Sequence, residues 1–168
     1  MKMTKRLTLA AMFIALGVIG SMIKLFGSIA LDSLSAFVGT VFLGPGFGFL
    51  LGSFGHLATA VFSGFPLSLP VHLVTAVLMG ICMVCYGIVR AKTSKRWGMN
   101  RWLSIVVAYL INTPLALLVL YPLLGPLVFT LIIPLSIGAL LNLVLAEVVL
   151  YFFETASSDL QKRKQAEK

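Results

Sequence analysis

The chain has two histidines, His56 and His72, and both fall in one strongly apolar stretch, GPGFGFLLGSFGHLATAVFSGFPLSLPVH, from Gly44 to His72. An imidazole can bind a metal, move a proton or hydrogen-bond a ligand. As metal ligands these two lack company, because zinc sites usually take three or four protein ligands and no carboxylate or thiol stands near either one. A hydrolytic triad could be drawn from Ser53 or Ser63 with His56 or His72. It lacks a Gly-x-Ser-x-Gly elbow, however, and Asp32 is the only carboxylate on the expected side. Cys82 and Cys85 form a C-x-x-C inside an apolar run, MGICMVCYGIV, and read as small apolar side chains with no further ligand nearby. The glycines at 44, 46, 48, 52 and 55 are followed by no lysine and cannot form a phosphate loop. Gly48 and Gly52 instead make a small-x-x-x-small face for close helix packing. Ligand binding and helix-to-helix contact remain as the work of the two imidazoles.

Other polar residues fall at membrane depth, where they are costly and therefore functional suspects: Lys24, Asp32, Asn112, Asn142 and Glu147. His72 is expected just inside the outer end of a fourth helix, and His56, Asn112 and Asn142 near the middles of the third, fifth and sixth. Lys24 and Asp32 flank the first outer loop, where they could also pair with each other, and Glu147 lies in the inner half. Five of these seven can converge on an outward-facing cavity, although each alone could serve as interhelical glue. Phe62, Phe65, Leu67 and Leu69 could cover a flat, partly apolar ligand that neutral donors and acceptors orient. With so little fixed charge, the expected ligand is neutral or weakly charged.

The elements that must position these residues follow from composition. Of 168 residues, 60% are hydrophobic and only 11% charged, against about a quarter charged in soluble domains; mean hydropathy is +1.06. A span needs about 20 apolar residues. The sequence predicts an all-α integral membrane protein with one membrane domain over 1–168 and helices at 7–27, 32–43, 46–63, 69–89, 102–120 and 127–153, followed by a polar tail at 154–168. The second is short: twelve residues reach only about 18 Å. The amino-terminal apolar run is longer than a cleavable signal requires and lacks a clear cleavage site.

The net charge of +8 is concentrated in three places: Lys2, Lys5 and Arg6; Arg90, Lys92, Lys95, Arg96 and Arg101; and Lys162, Arg163, Lys164 and Lys168. Six crossings put all three on one side, which the positive-inside rule makes cytoplasmic, with both termini there. Five crossings would break this parity. The loops at 27–32, 62–70 and 121–126 then face outside.

A six-span chain of this size, with a short second helix, no ATPase motif and Ala11-x-x-x-Ala15 in its first helix, resembles the substrate-binding (S) components of energy-coupling-factor (ECF) vitamin transporters. The runs Leu43-Gly44-Pro45-Gly46, Phe54-Gly55-His56-Leu57 and Gly64-Phe65-Pro66-Leu67 are similar to those of a narrower subgroup that takes up α-ribazole, the nucleoside of the cobalamin lower ligand. The resemblance implies a multi-pass protein of a bacterial plasma membrane. It implies docking through Ala11 and Ala15 on an ECF membrane coupling subunit, with two cytoplasmic ATPases consuming ATP and no cofactor in this chain. It implies a vitamin-type ligand held by outer loops and the later helices, hence by His72, Asn112 and Asn142, with His56, Phe65, Asp32 and Lys24 as further candidates. Riboflavin, pantothenate or cobalamin are alternative ligands. A small membrane enzyme using His56 and His72, or a self-sufficient carrier, are alternatives from other classes.

Overall fold

The computed structural model describes residues 2–25, 29–92 and 99–166. The expected Lys95, Arg96 and Lys168 of the basic clusters lie outside them. The order is α1 (Met3–Met22), β1 (Lys24–Leu25), β2 (Ile29–Ala30), α2 (Leu34–Leu43), α3 (Pro45–Phe62), α4 (Leu69–Lys92), α5 (Met99–Leu110), a π segment (Ile111–Leu115), α6 (Ala116–Leu124) and α7 (Leu127–Ala166). With α5, the π segment and α6 forming one interrupted rod, these make six helical spans, five of them long and apolar enough to cross a membrane.

The short α2 is the centre of the bundle. It is mostly apolar, and Ser35 to Thr40 are all buried. Phe37 stands edge-on to Tyr86 of α4 at 5.0 Å, and both belong to a core completed by Leu43, Leu51, Met83, Leu143 and Leu150. Gly44, at φ 89°, turns the chain from α2 into α3 in a conformation that side chains disfavour. Pro45 then opens α3, where its missing N–H costs nothing.

Backbone approach sets the packing of α3. A Cβ on Gly52 would lie 2.6 Å from the Met79 carbonyl oxygen of α4, and one on Gly48 would lie 2.7 Å from the Thr40 side chain of α2. The small-residue face therefore closes α3 against both neighbours. Gly46 and Gly55 face open space, so close packing does not account for them.

Several boundaries move. α1 ends at Met22 instead of residue 27, because the chain turns into a two-residue antiparallel ladder with Lys24 opposite Ala30 and Leu25 opposite Ile29. α2 starts two residues later than expected. The fifth span carries a π segment, because Pro114 cannot donate to the Leu110 carbonyl. The register widens there, with the Ala116 N–H reaching Ile111 O. The break expected across 121–126 contracts to Gly125 and Pro126, and α7 continues through the polar tail to Ala166.

One end of the bundle is charged. The Arg6 guanidinium donates to the Leu43 carbonyl and covers the Phe47 ring. Arg90 and Arg101 meet Glu147 and Glu154 at the same end. The positive-inside rule assigns this end to the cytoplasm. The cavity described next lies at the other end.

Candidate functional site

Five of the polar residues singled out in the sequence line one cavity of about 240 Å³: Asp32, His56, His72, Asn112 and Asn142. They arrive from separate elements. Asp32 and Ser33 come from the segment leading into α2, His56 from α3, and His72 and Thr75 from α4. Asn112 comes from the π segment and Asn142 from α7. Much of the remaining lining is apolar, with Leu117, Leu120 and Leu124 from α6 and Leu131, Pro134 and Leu135 from α7.

The two imidazoles are partners. His56 Nε2 and His72 Nδ1 lie 3.1 Å apart, so one proton is shared between two ring nitrogens. This contact follows from the close packing of α3 on α4. In the same layer the Ser53 hydroxyl donates to the Ala76 carbonyl at 2.9 Å, not to a histidine. His72 is 9% exposed, and its Nε2 is buried with no partner among the described residues. Phe65 stands edge-on to the His72 ring at 5.7 Å. It sits in the 63–68 turn, where Phe65 (φ 50°) and Ser68 (φ 110°) are both left-handed. Its ring covers the dyad without being part of the cavity wall. Lys24 occupies β1, and its side chain lies outside the described residues.

Asn142 has a structural task. Its Oδ1 accepts the Leu34 N–H at 2.9 Å and its Nδ2 donates to the Gly138 carbonyl at 2.9 Å. The first turn of a helix leaves N–H groups without partners. Ser33 supplies no side-chain cap, so α7 caps α2 from outside and anchors the cavity floor. Asp32 sits just before that cap, half-buried. Burial pushes its carboxyl above the ordinary carboxylate range, only partly offset by hydrogen bonds from the Ser33 and Asp32 N–H groups and the Ser33 hydroxyl.

Glu147 belongs to a different site. At the cytoplasmic end it accepts from the Tyr86 hydroxyl at 2.7 Å, from Arg90 Nη1 at 2.5 Å and from Arg101 Nε at 2.9 Å. In the sequence Arg90 and Arg101 belong to the basic cluster of the polar loop after the fourth span. The signal that they pair with Glu147 was the carboxylate itself, which needs partners at that depth. Thr75, Ser33 and Leu117 were also missed as lining residues, having nothing in sequence to set them apart from packing. Cys82 is buried, with its thiol 3.4 Å from the Ala108 carbonyl. No three of His, Cys, Asp and Glu gather as a metal-binding set among the described residues.

A partly open, largely apolar cavity into which polar groups from several helices converge, in a membrane bundle without a nucleotide motif, describes a binding subunit. Residues 5–153 match the family model of the ECF transporter substrate-specific component. The chain belongs to this family. As an S component it is a multi-pass membrane subunit of a transporter. It works with an ECF transporter module on a small-molecule ligand. Comparison with curated proteins and with solved structures returns no match.

Ala11 and Ala15, the expected docking pair, are exposed on the outer face of α1, with Met12 and Leu16 beside them. Ala10 is instead buried in the core. The pair makes no use of its small size within this chain.

Proposed function

We propose that this S component captures α-ribazole, or a closely similar nucleoside, from the outer side of a bacterial plasma membrane and delivers it to an energising module. The observation that carries the reading is the composition of the cavity wall. It has apolar side chains from α6 and α7, polar ones of His and Asn with one carboxylate, and no lysine or arginine among the described lining residues. A wall of this kind suits a neutral, flat heteroaromatic base carrying hydroxyls. The described lining offers no cation to neutralise a phosphate or a carboxylate. Asp32, His56, His72, Asn112 and Asn142 are the proposed ligand residues. Phe65 covers the site, and Lys24 is a further candidate at its rim.

In this reading Ala11 and Ala15 dock on the membrane coupling subunit, because an exposed small-residue face lets another helix approach closely. Two partner ATPases supply the energy from ATP, and this chain holds no cofactor. Titration of the detergent-purified protein with α-ribazole, riboflavin, pantothenate and cobalamin tests the substrate. Saturable binding of α-ribazole is expected, and saturable binding of another vitamin alone would overturn the choice. Bulky replacement of Ala11 or Ala15 is expected to abolish uptake in cells and leave binding intact. Uptake at the wild-type rate would remove the docking assignment.

A further inference from the structure

The His56–His72 pair divides its nitrogens unequally. His72 Nδ1 is engaged with His56 Nε2 at 3.1 Å, whereas His72 Nε2 is buried and unpartnered. A buried polar nitrogen without a partner is destabilising, so such atoms in native proteins call for an explanation. His72 lines the cavity, with Nε2 itself covered, and the missing partner is accounted for if the cavity's occupant displaces that cover and supplies it.

The rest of the wall indicates which partner. Asp32 brings acceptors, and the Asn112 amide brings both an acceptor and a donor group. Among the other donors, the Thr75 hydroxyl is given to the Val71 carbonyl at 2.8 Å, and one hydrogen of Asn142 Nδ2 is given to the Gly138 carbonyl at 2.9 Å. A heteroaromatic ligand with an unprotonated ring nitrogen needs a donor in the plane of its ring. In one neutral arrangement of the dyad, His56 Nε2–H donates to His72 Nδ1, which leaves the proton of His72 on Nε2.

We infer that His72 Nε2–H is the specificity-determining donor, that His56 is the positioning residue that fixes its tautomer, and that both select ligands with a ring-nitrogen acceptor. This rests on the nucleoside reading above and adds the atom and the chemical feature it recognises. A ligand isosteric in shape but lacking the acceptor leaves Nε2–H unpaired. Discrimination of roughly 5- to 150-fold is the corresponding expectation.

The test has two arms. The first compares α-ribazole with its indole isostere, in which a C–H replaces the acceptor nitrogen. Wild-type protein should bind the isostere more weakly by that factor, and His72→Ala should bind both alike. Equal wild-type affinities, or discrimination that survives in His72→Ala, overturn the inference. The second arm does not depend on α-ribazole being the substrate. Protein labelled with ¹⁵N-histidine is titrated with each vitamin of the panel. The His72 Nε2 signal should be of the protonated type in the free protein and should shift on saturation with whichever vitamin binds, while His56→Gln should scramble the free-state tautomer. If another vitamin binds and shifts Nε2, the substrate proposal falls and this inference stands. A lone-pair-type Nε2 signal, or one that no vitamin moves, overturns it.

Discussion

The two ends of this bundle treat polar groups in opposite ways. At the cytoplasmic end, Arg90, Arg101, Glu147 and Glu154 form a closed set of ion pairs joining α4, α5 and α7, with the Tyr86 hydroxyl donating into it. Two cations meet two anions, and each carboxylate receives more than one donor. At the outer end, the cavity gathers one carboxylate, two imidazoles and two amides, and one imidazole nitrogen has no partner. The inner set is closed and the outer set is left open. Fully satisfied networks hold a structure together, and partly satisfied ones are where a ligand gains binding energy. The difference lies in how completely the groups satisfy one another, since both ends have polar residues buried among apolar ones.

If that contrast is sound, mutations at the inner end change stability without regard to ligand. The largest effect is expected for Glu147→Ala. It strips two largely buried guanidiniums of their shared carboxylate and should cost about 3–5 kcal/mol. A lowered melting temperature in detergent would show it, with ligand affinity of the folded fraction unchanged; a wild-type melting temperature would contradict a closed network. Asn142→Ala comes next and straddles the contrast. Removing the acceptor of the Leu34 N–H should cost about 1–3 kcal/mol and also loosen the cavity floor, so both melting temperature and affinity should fall. A loss of affinity alone would make Asn142 a plain ligand residue.

Smaller effects sharpen the same line. Glu154 has a side chain 40% exposed, and its replacement by alanine should cost under about 1 kcal/mol. A penalty as large as that of Glu147 would show that the four charges act as one unit. The smallest effect is a pH slope. Because burial raises the Asp32 carboxyl above its unfolded value, the folded state binds its proton more tightly. Stability from this group is therefore full at low pH and is lost as pH rises through the folded value. Asp32→Asn should flatten the fall of melting temperature above the ordinary carboxylate range. An unchanged slope would mean that Asp32 is not the group responsible.

Much of this was legible in the chain. The six spans, the short second one and the segregation of charge follow from runs of apolar residues and from where lysine and arginine stand. The gathering of Asp32, His56, His72, Asn112 and Asn142 was legible as well, since polar residues at membrane depth seek one another or water. Their pairing was not: nothing in the spacing of sixteen residues between the histidines says that their rings touch. That depends on Gly52 allowing α3 to lie against the Met79 backbone. Likewise Arg90 and Arg101 looked like loop charges, because a basic residue at a span's end reads the same whether it faces water or a carboxylate.

The sequence alone determined that this protein lives in lipid, where its six helices lie and which end gathers the basic residues, because transfer of apolar surface and placement of charge are additive along a chain. It also marked the polar residues that have no cheap reason to be there. Only the tertiary structure decided which of them are spent on the fold and which remain for a ligand. Asn142 gives part of its capacity to the fold, capping a helix from across the bundle while lining the cavity, and Glu147 is engaged by two arginines. His72 Nε2 is left over. Hydrogen bonds are satisfied pairwise and in three dimensions, so which donor goes unmatched is fixed only once all the helices have taken their places.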